Sequence, residues 1–210
     1  MKLAIFGATG RIGGHLLNWA VDAGHDVHVL ARNPDPEPPR TGVTVSRGDV
    51  LDPAAVAAVI SGADAVLSAL GPRGREGFGR ARLLGPAASN IVAGMDKTGA
   101  RRLICVSAAG AFVAADSETA WLVRQLLPRV LARPFADVRR MEEVVRGSGL
   151  DWTLVRATRL INAPARGGYR VRDGYPPKGG GTIARADVAD FIGAALTEGS
   201  YVRQAPALAY

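Results

Sequence analysis

A short apolar run, Leu3–Phe6, breaks into glycines at 7, 10 and 13 and then into an amphipathic stretch that lasts to Gly24. That order constrains the fold more than anything else in the chain. The apolar run reads as a buried strand, and the glycines read as a tight turn. The stretch from Arg11 to Ala23, with Ile12, Leu16, Leu17 and Ala20 at helical spacing, reads as a helix. A helix entered through glycine carries free N–H groups at its first turn and suits a pyrophosphate. Gly7 permits the turn, Gly10 lets backbone approach phosphate, and Gly13 lets the helix pack close to the sheet; Thr9, Arg11 and Ile12 complete the set.

The rest of the chain alternates in the same way. Strands are expected at Asp26–Ala31, Val43–Ser46, Ala65–Ala69, Leu103–Ser107 and Trp152–Val155. Short segments near Tyr169–Arg172 and Tyr201–Leu208 can add two more. Helices are expected at Pro53–Ile60, Ala87–Thr98, 118–132, 135–147 and Ala186–Leu196, with the break before residue 135 set by Arg133-Pro134. Such alternation predicts an α/β fold, a doubly wound parallel sheet of the Rossmann type. No repeat or linker divides the 210 residues, so 1–210 is read as one domain. The segment 157–182, rich in glycine, proline and arginine, is expected as an excursion over the carboxyl edge, where ligands of such sheets bind.

Charge narrows the ligand. The formal net charge is +7, and Lys2, Lys97 and Lys178 are the only lysines, so arginine supplies nearly all of it. The arginines are scattered and no nucleic-acid motif accompanies them, which favours an anionic small molecule over DNA or RNA. No apolar run approaches the roughly 20 residues of a membrane span, and the chain starts directly on a strand. A cytoplasmic location without membrane attachment is the expectation. Nothing in the sequence sets an oligomeric state. The lone Cys105 lies in an apolar run and reads as a core residue.

Arg32, just past the second strand, stands where NAD binders usually place an acid for the ribose 2′-OH. An arginine there suits a 2′-phosphate and so NADP(H) over NAD(H). Asp49 and Val50, after the third strand, are candidates for the adenine. Ala69, Leu70 and Gly71, after the fourth, line the path to the nicotinamide. The three histidines all fall in the first βαβ unit and suggest no metal site.

Gly7-Ala-Thr-Gly-Arg-Ile-Gly13 resembles the turn of the short-chain dehydrogenase/reductase superfamily. Gly48-Asp-Val-x-Asp52, Asn90-Ile-Val-x-x-Met95, Ser148-Gly-Leu-Asp-Trp-Thr153 and Arg185-Ala-Asp-Val-Ala189 follow in the expected order. Together they resemble the atypical branch of flavin and biliverdin-IXβ reductases and NmrA-like proteins. The resemblance implies that Ser107 holds the active-site serine position, donating to the nicotinamide carboxamide or to a substrate oxygen. It also puts Arg159 where those reductases carry a histidine, as a second catalytic candidate. Phe112, Trp121, Leu160 and Tyr175 are candidate walls for the substrate.

The superfamily's usual catalyst is Tyr-x-x-x-Lys, yet none of Tyr169, Tyr175, Tyr201 and Tyr210 has lysine four residues on. That argues against ordinary carbonyl reduction, in which the tyrosine supplies the proton. The missing histidine argues against biliverdin. The expectation is therefore an NADPH-dependent reductase of a flavin, quinone or similar conjugated acceptor. The alternative is an NADP(H)-binding redox sensor without turnover.

Overall fold

The structure is a computed structural model that describes residues 1–33, 40–71, 82–112 and 129–210, with 129–132 described by backbone. Five parallel strands come first in the chain: β1 (Lys2–Phe6), β2 (Asp26–Ala31), β3 (Val43–Arg47), β4 (Ala65–Ser68) and β5 (Arg102–Ala108). They are joined by β6 (Asp151–Ala157), β8 (Arg170–Asp173) and β10 (Pro206–Ala209) into one sheet ordered β3-β2-β1-β4-β5-β6-β10-β8. All pairings are parallel except β10 with β8. The winding reverses between β1 and β4, and ligands of such sheets sit at that reversal. The fold is therefore the doubly wound, Rossmann-type sheet that the alternation predicts.

Helices cover both faces. Helix α1 (Arg11–Asp22) and α5 (Arg185–Thr197) pack together on one face, over Leu3, Ile5, Val29, Leu67 and Ile104. Helices α2 (Pro53–Ile60), α3 (Leu84–Thr98) and α4 (Arg129–Arg146) cover the other, over Ala4, Phe6, Val66, Leu103 and Leu154. Successive strand residues alternate between the two clusters, and the central strands β1 and β4 are apolar on both sides. That explains why they read as unbroken apolar runs. Among the described residues no helix is long and apolar enough to cross a membrane.

Two expectations change. Helix α4 runs through Pro134, so the break at Arg133-Pro134 does not occur. The proline lies in the second turn and removes one hydrogen bond, while Val138, Met141 and Val145 anchor the rest of the helix in the core. Residues 118–128 of the expected first helix lie outside the described residues. Helix α3 starts at Leu84, three residues before the expected Ala87. Asp137 of α4 caps it, accepting from the N–H groups of Leu83 (2.8 Å), Leu84 (2.7 Å) and Gly85 (3.0 Å). The 157–182 excursion is partly structured. Within it β7 (Arg159–Ile161) pairs in parallel with β9 (Thr182–Ala184) as a separate ribbon, and β8 extends the main sheet.

Candidate active site at the carboxyl edge

The turn after β1 has the shape its glycines require. Gly7 adopts φ +85° in the left-handed region, and a Cβ there would stand 2.7 Å from the Ala69 carbonyl oxygen at the end of β4. The Gly10 N–H donates to the Gly7 carbonyl at 2.8 Å and closes the turn. Gly13 lies so close beneath that its Cβ would fall 2.0 Å from the Gly7 oxygen. Gly10 caps α1 without a side-chain bond, and no acid occupies the first turn. The opening N–H groups of α1 thus meet no side-chain acceptor from Gly10 and no nearby carboxylate of their own helix. A glycine-rich backbone turn at a helix start fits a pyrophosphate. Ile12 and Gly13 are buried in it, and Thr9 and Arg11 are exposed at its rim.

The flanking candidates fall along the same edge. Arg32 is exposed immediately after β2 and has no ion-pair partner among the described residues. Asp49 uses one carboxylate oxygen to accept from the Leu51 N–H at 3.0 Å, an Asx turn that shapes the loop. Val50 is buried in the core cluster, and its carbonyl accepts from Asn90 Nδ2 at 3.0 Å. Ala69 and Leu70 are half-buried beside the glycine turn, and Gly71 is exposed.

Arg185 was not among the expected site residues. It opens α5 beside α1, and burial together with the neighbouring Arg11 lowers its pKa. Its Nη1 donates to Asn162 Oδ1 at 2.7 Å. No carboxylate pairs with either guanidinium among the described residues. The rim of the cradle is therefore strongly positive.

The largest surprise is what Ser107 touches. Its hydroxyl donates to Glu142 Oε1 at 2.6 Å, and both residues are buried. Arg156, opposite Ser107 in the β5–β6 register, donates Nε to the same oxygen at 2.9 Å and Nη2 to Oε2 at 2.6 Å. Arg146 adds a weaker pair at 3.4 Å. The Arg156 guanidinium lies 3.6 Å from the centre of the Phe112 ring, and its Nη1 donates to the Gly174 carbonyl. A carboxylate held by a bidentate arginine is ionised and accepts only. The expectation that Ser107 donates to a ligand is therefore corrected: its one hydrogen goes to Glu142.

The remaining candidates divide. Phe112 lies under the Arg156 guanidinium, while Tyr175, the residue after Gly174, is exposed. Leu160 packs with the α1/α5 cluster on the opposite face of the sheet, so the expected walls do not form one surface. Trp121 lies outside the described residues. Arg159 is exposed on β7, with its N–H bonded to the Gly181 carbonyl. The arginine wired into the site is Arg156, three residues earlier. Its partner was visible as an anomaly in sequence: Glu142 stands four residues after Val138, on the stripe that buries Met141 and Val145.

Asp187, in the Arg185-Ala-Asp-Val-Ala189 run, is a second buried carboxylate. It accepts from the N–H groups of Arg166 (3.1 Å) and Gly167 (2.8 Å) and from the Tyr210 hydroxyl. The Tyr210 hydroxyl accepts from the Ala184 N–H at 3.1 Å. Burial and the Asp187 contact raise the Tyr210 pKa. This knot ties the 162–168 loop to the start of α5.

Comparison with known proteins agrees with this geometry. A Bacillus subtilis protein named as the uncharacterized sugar epimerase YhfK is 26% identical over 206 residues, covering 94% of this chain and 89% of its own length. A Burkholderia pseudomallei structure, whose name marks it as a candidate for export, superposes with a TM-score of 0.81 at 29% identity over the whole of both chains. A wide-type short-chain dehydrogenase/reductase from Veillonella parvula, crystallised with NADP, gives a TM-score of 0.77 at 21% identity, covering 100% of this chain and 94% of its own. Residues 7–199 match the family described as NAD(P)H-binding, a span from the first glycine of the cradle to the end of α5. The chain belongs to that NAD(P)H-binding family, with its oxidoreductase- and epimerase-like relatives.

Proposed function

We propose that the protein is an NADPH-dependent reductase of a flavin, quinone or similar conjugated small-molecule acceptor, working in the cytoplasm. The observation that carries this reading is the engagement of Ser107 with Glu142, which takes up the hydrogen of the serine at the end of β5. The tyrosines offer no substitute. Tyr210 donates to Asp187, Tyr169 and Tyr201 pack against Phe191, and Tyr175 is exposed beside Gly174 without a lysine four residues on. A bound nicotinamide supplies hydride and no proton. An acceptor whose reduced form takes its proton from water suits such a site; a ketone or a sugar that needs an internal acid or base does not.

Each residue then has a task. The cradle of Gly7, Gly10 and Gly13 and the first N–H groups of α1 bind a pyrophosphate. Arg11 and Arg185 supply positive charge beside it. Arg32 fits a 2′-phosphate, and the NADP in the Veillonella protein is in keeping with that choice. Phe112, made rigid by the Arg156 guanidinium against it, offers a flat apolar face for a conjugated ring.

The test is NADPH oxidation against a panel of FMN, FAD and quinones, with simple ketones as the contrast. Turnover is expected with a conjugated acceptor and not with ketones. Tight NADPH binding with no turnover across the panel overturns the reductase reading and leaves a sensor of NADP(H). Arg32→Asp is expected to move preference toward NADH, and an unchanged preference removes Arg32 from the account.

A further inference from the structure

Glu142 has no acceptor capacity left for anything that approaches from the sheet edge. Its Oε1 accepts from Ser107 and from Arg156 Nε, and its Oε2 from Arg156 Nη2 and Arg146. The residue is 1% exposed and paired with the Arg156 guanidinium. Ser107 for its part has one hydrogen and two lone pairs. The hydrogen points into Glu142, so the side of the hydroxyl that remains can only accept. A ligand group that meets Ser107 favourably must bring its own hydrogen. A bare carbonyl or carboxylate oxygen meets lone pairs there and is repelled.

We propose that Glu142 is a positioning residue that fixes Ser107 as a hydrogen-bond acceptor, so that the end of β5 selects the N–H₂ of a nicotinamide carboxamide. This rests on the NADPH-dependent reading above and gives it a specific contact. It also inverts the role that the serine's position suggests: Ser107 orients the ring by its amide and does not polarise a substrate oxygen. Arg156 serves the same end indirectly. Through its two bonds to Glu142 it holds the carboxylate in place, and by donating to the Gly174 carbonyl it ties that arrangement to the loop before Tyr175.

The experiment compares equilibrium binding of NADP⁺ with that of its 3-acetylpyridine analogue, in which a methyl group replaces the amide nitrogen and the carbonyl is kept. Fluorescence titration or calorimetry reads it without any acceptor present. If Ser107 accepts from the amide, the unaltered protein favours NADP⁺ by about 5- to 10-fold, the worth of one hydrogen bond. Ser107→Ala then brings the two affinities together. If Ser107→Ala weakens both ligands equally and leaves their ratio unchanged, the serine is a donor to the carbonyl and the inference is wrong. If neither ligand binds, the cofactor reading itself fails.

The role of Glu142 is read in the same assay. Glu142→Gln can present its own N–H₂ to Ser107 and release the serine hydrogen, so the NADP⁺ preference is expected to fall toward 1. A folded Glu142→Gln protein with full preference overturns the positioning role. Where that variant does not fold, Glu142→Gln with Arg156→Met removes the unpaired charge and is read by the same ratio.

Discussion

Replacing Glu142 with leucine strands the Arg156 guanidinium in the interior. Arg156 is 6% exposed, and the substitution takes away both of its carboxylate contacts, at 2.9 and 2.6 Å, together with the acceptor for Ser107. Removing one partner of a buried pair costs about 3–5 kcal/mol. Two contacts survive here, the Gly174 carbonyl and the face of Phe112, so the lower end, about 3 kcal/mol, is the expected value. For a chain of this length each kcal/mol moves the midpoint by about 2–4 °C, so thermal unfolding should fall by roughly 6–12 °C. Removing both charges is different in kind. Glu142→Leu with Arg156→Met takes away two desolvation penalties along with the attraction, and should return to within about 1 kcal/mol of the unaltered protein. Paired thermal and urea unfolding of the two single variants and the double measures the coupling. A single variant that loses less than about 1 kcal/mol, or a double variant equal to the sum of the singles, would refute the reasoning about this pair.

Two further outcomes follow from other parts of the molecule. Gly13→Ala drives a Cβ to 2.0 Å from the Gly7 backbone oxygen, a clash with main chain that a shift of α1 must relieve. About 1–3 kcal/mol of strain is expected, visible as a lower midpoint and weaker NADPH binding; unchanged melting and affinity would contradict the close approach. Burial is the main cause that pushes the Cys105 thiol up to about 12 from its ordinary 9.0, and a hydrogen bond with Ser68 opposes it in part. The native thiol should therefore resist labelling at pH 8 until the chain unfolds, and rapid stoichiometric labelling of the folded protein would count against it. The sign of the linkage follows: the folded state holds this proton more tightly, so its contribution is complete below about pH 9 and is lost as pH rises toward 12.

The parts legible in sequence were those governed by local chemistry. Leu3–Phe6, the glycine turn and α1 are contiguous, and their geometry follows from side-chain period and from glycine's lack of a Cβ. The parallel direction of the strands followed from alternation, since each helix must return the chain to the same edge. The Ser107–Glu142–Arg156 group was illegible as a group because its members are 35 and 14 residues apart and meet only when α4 packs over β5 and β6. Serine at the end of a strand looks the same in sequence whether its hydrogen is free or held. Asp137 capping α3 is the same kind of case, a cap supplied from 52–54 residues away that moved the helix start ahead of Ala87. Pro134 misled in the other direction, because local propensity marks a break that the buried stripe of α4 overrides.

The position of β10 has a consequence for how the chain assembles. Residues 206–209 slot between β6 and β8, so β10, later in the chain than β8, is interior to the sheet while β8 stands at one end of the strand order. During synthesis each strand from β2 to β6 finds at least one neighbour already made, so β1 to β6 can pair as they emerge. Strand β8 cannot; its ladder waits for residues 206–209, and the Asp187 knot waits for Tyr210. Growth from the N-terminus therefore reaches a nearly complete sheet with its β6 flank open, a bare edge of the kind that invites pairing with another chain. Strand β10 covers that edge, and Tyr210 directly after it bonds Asp187, which holds the 162–168 loop.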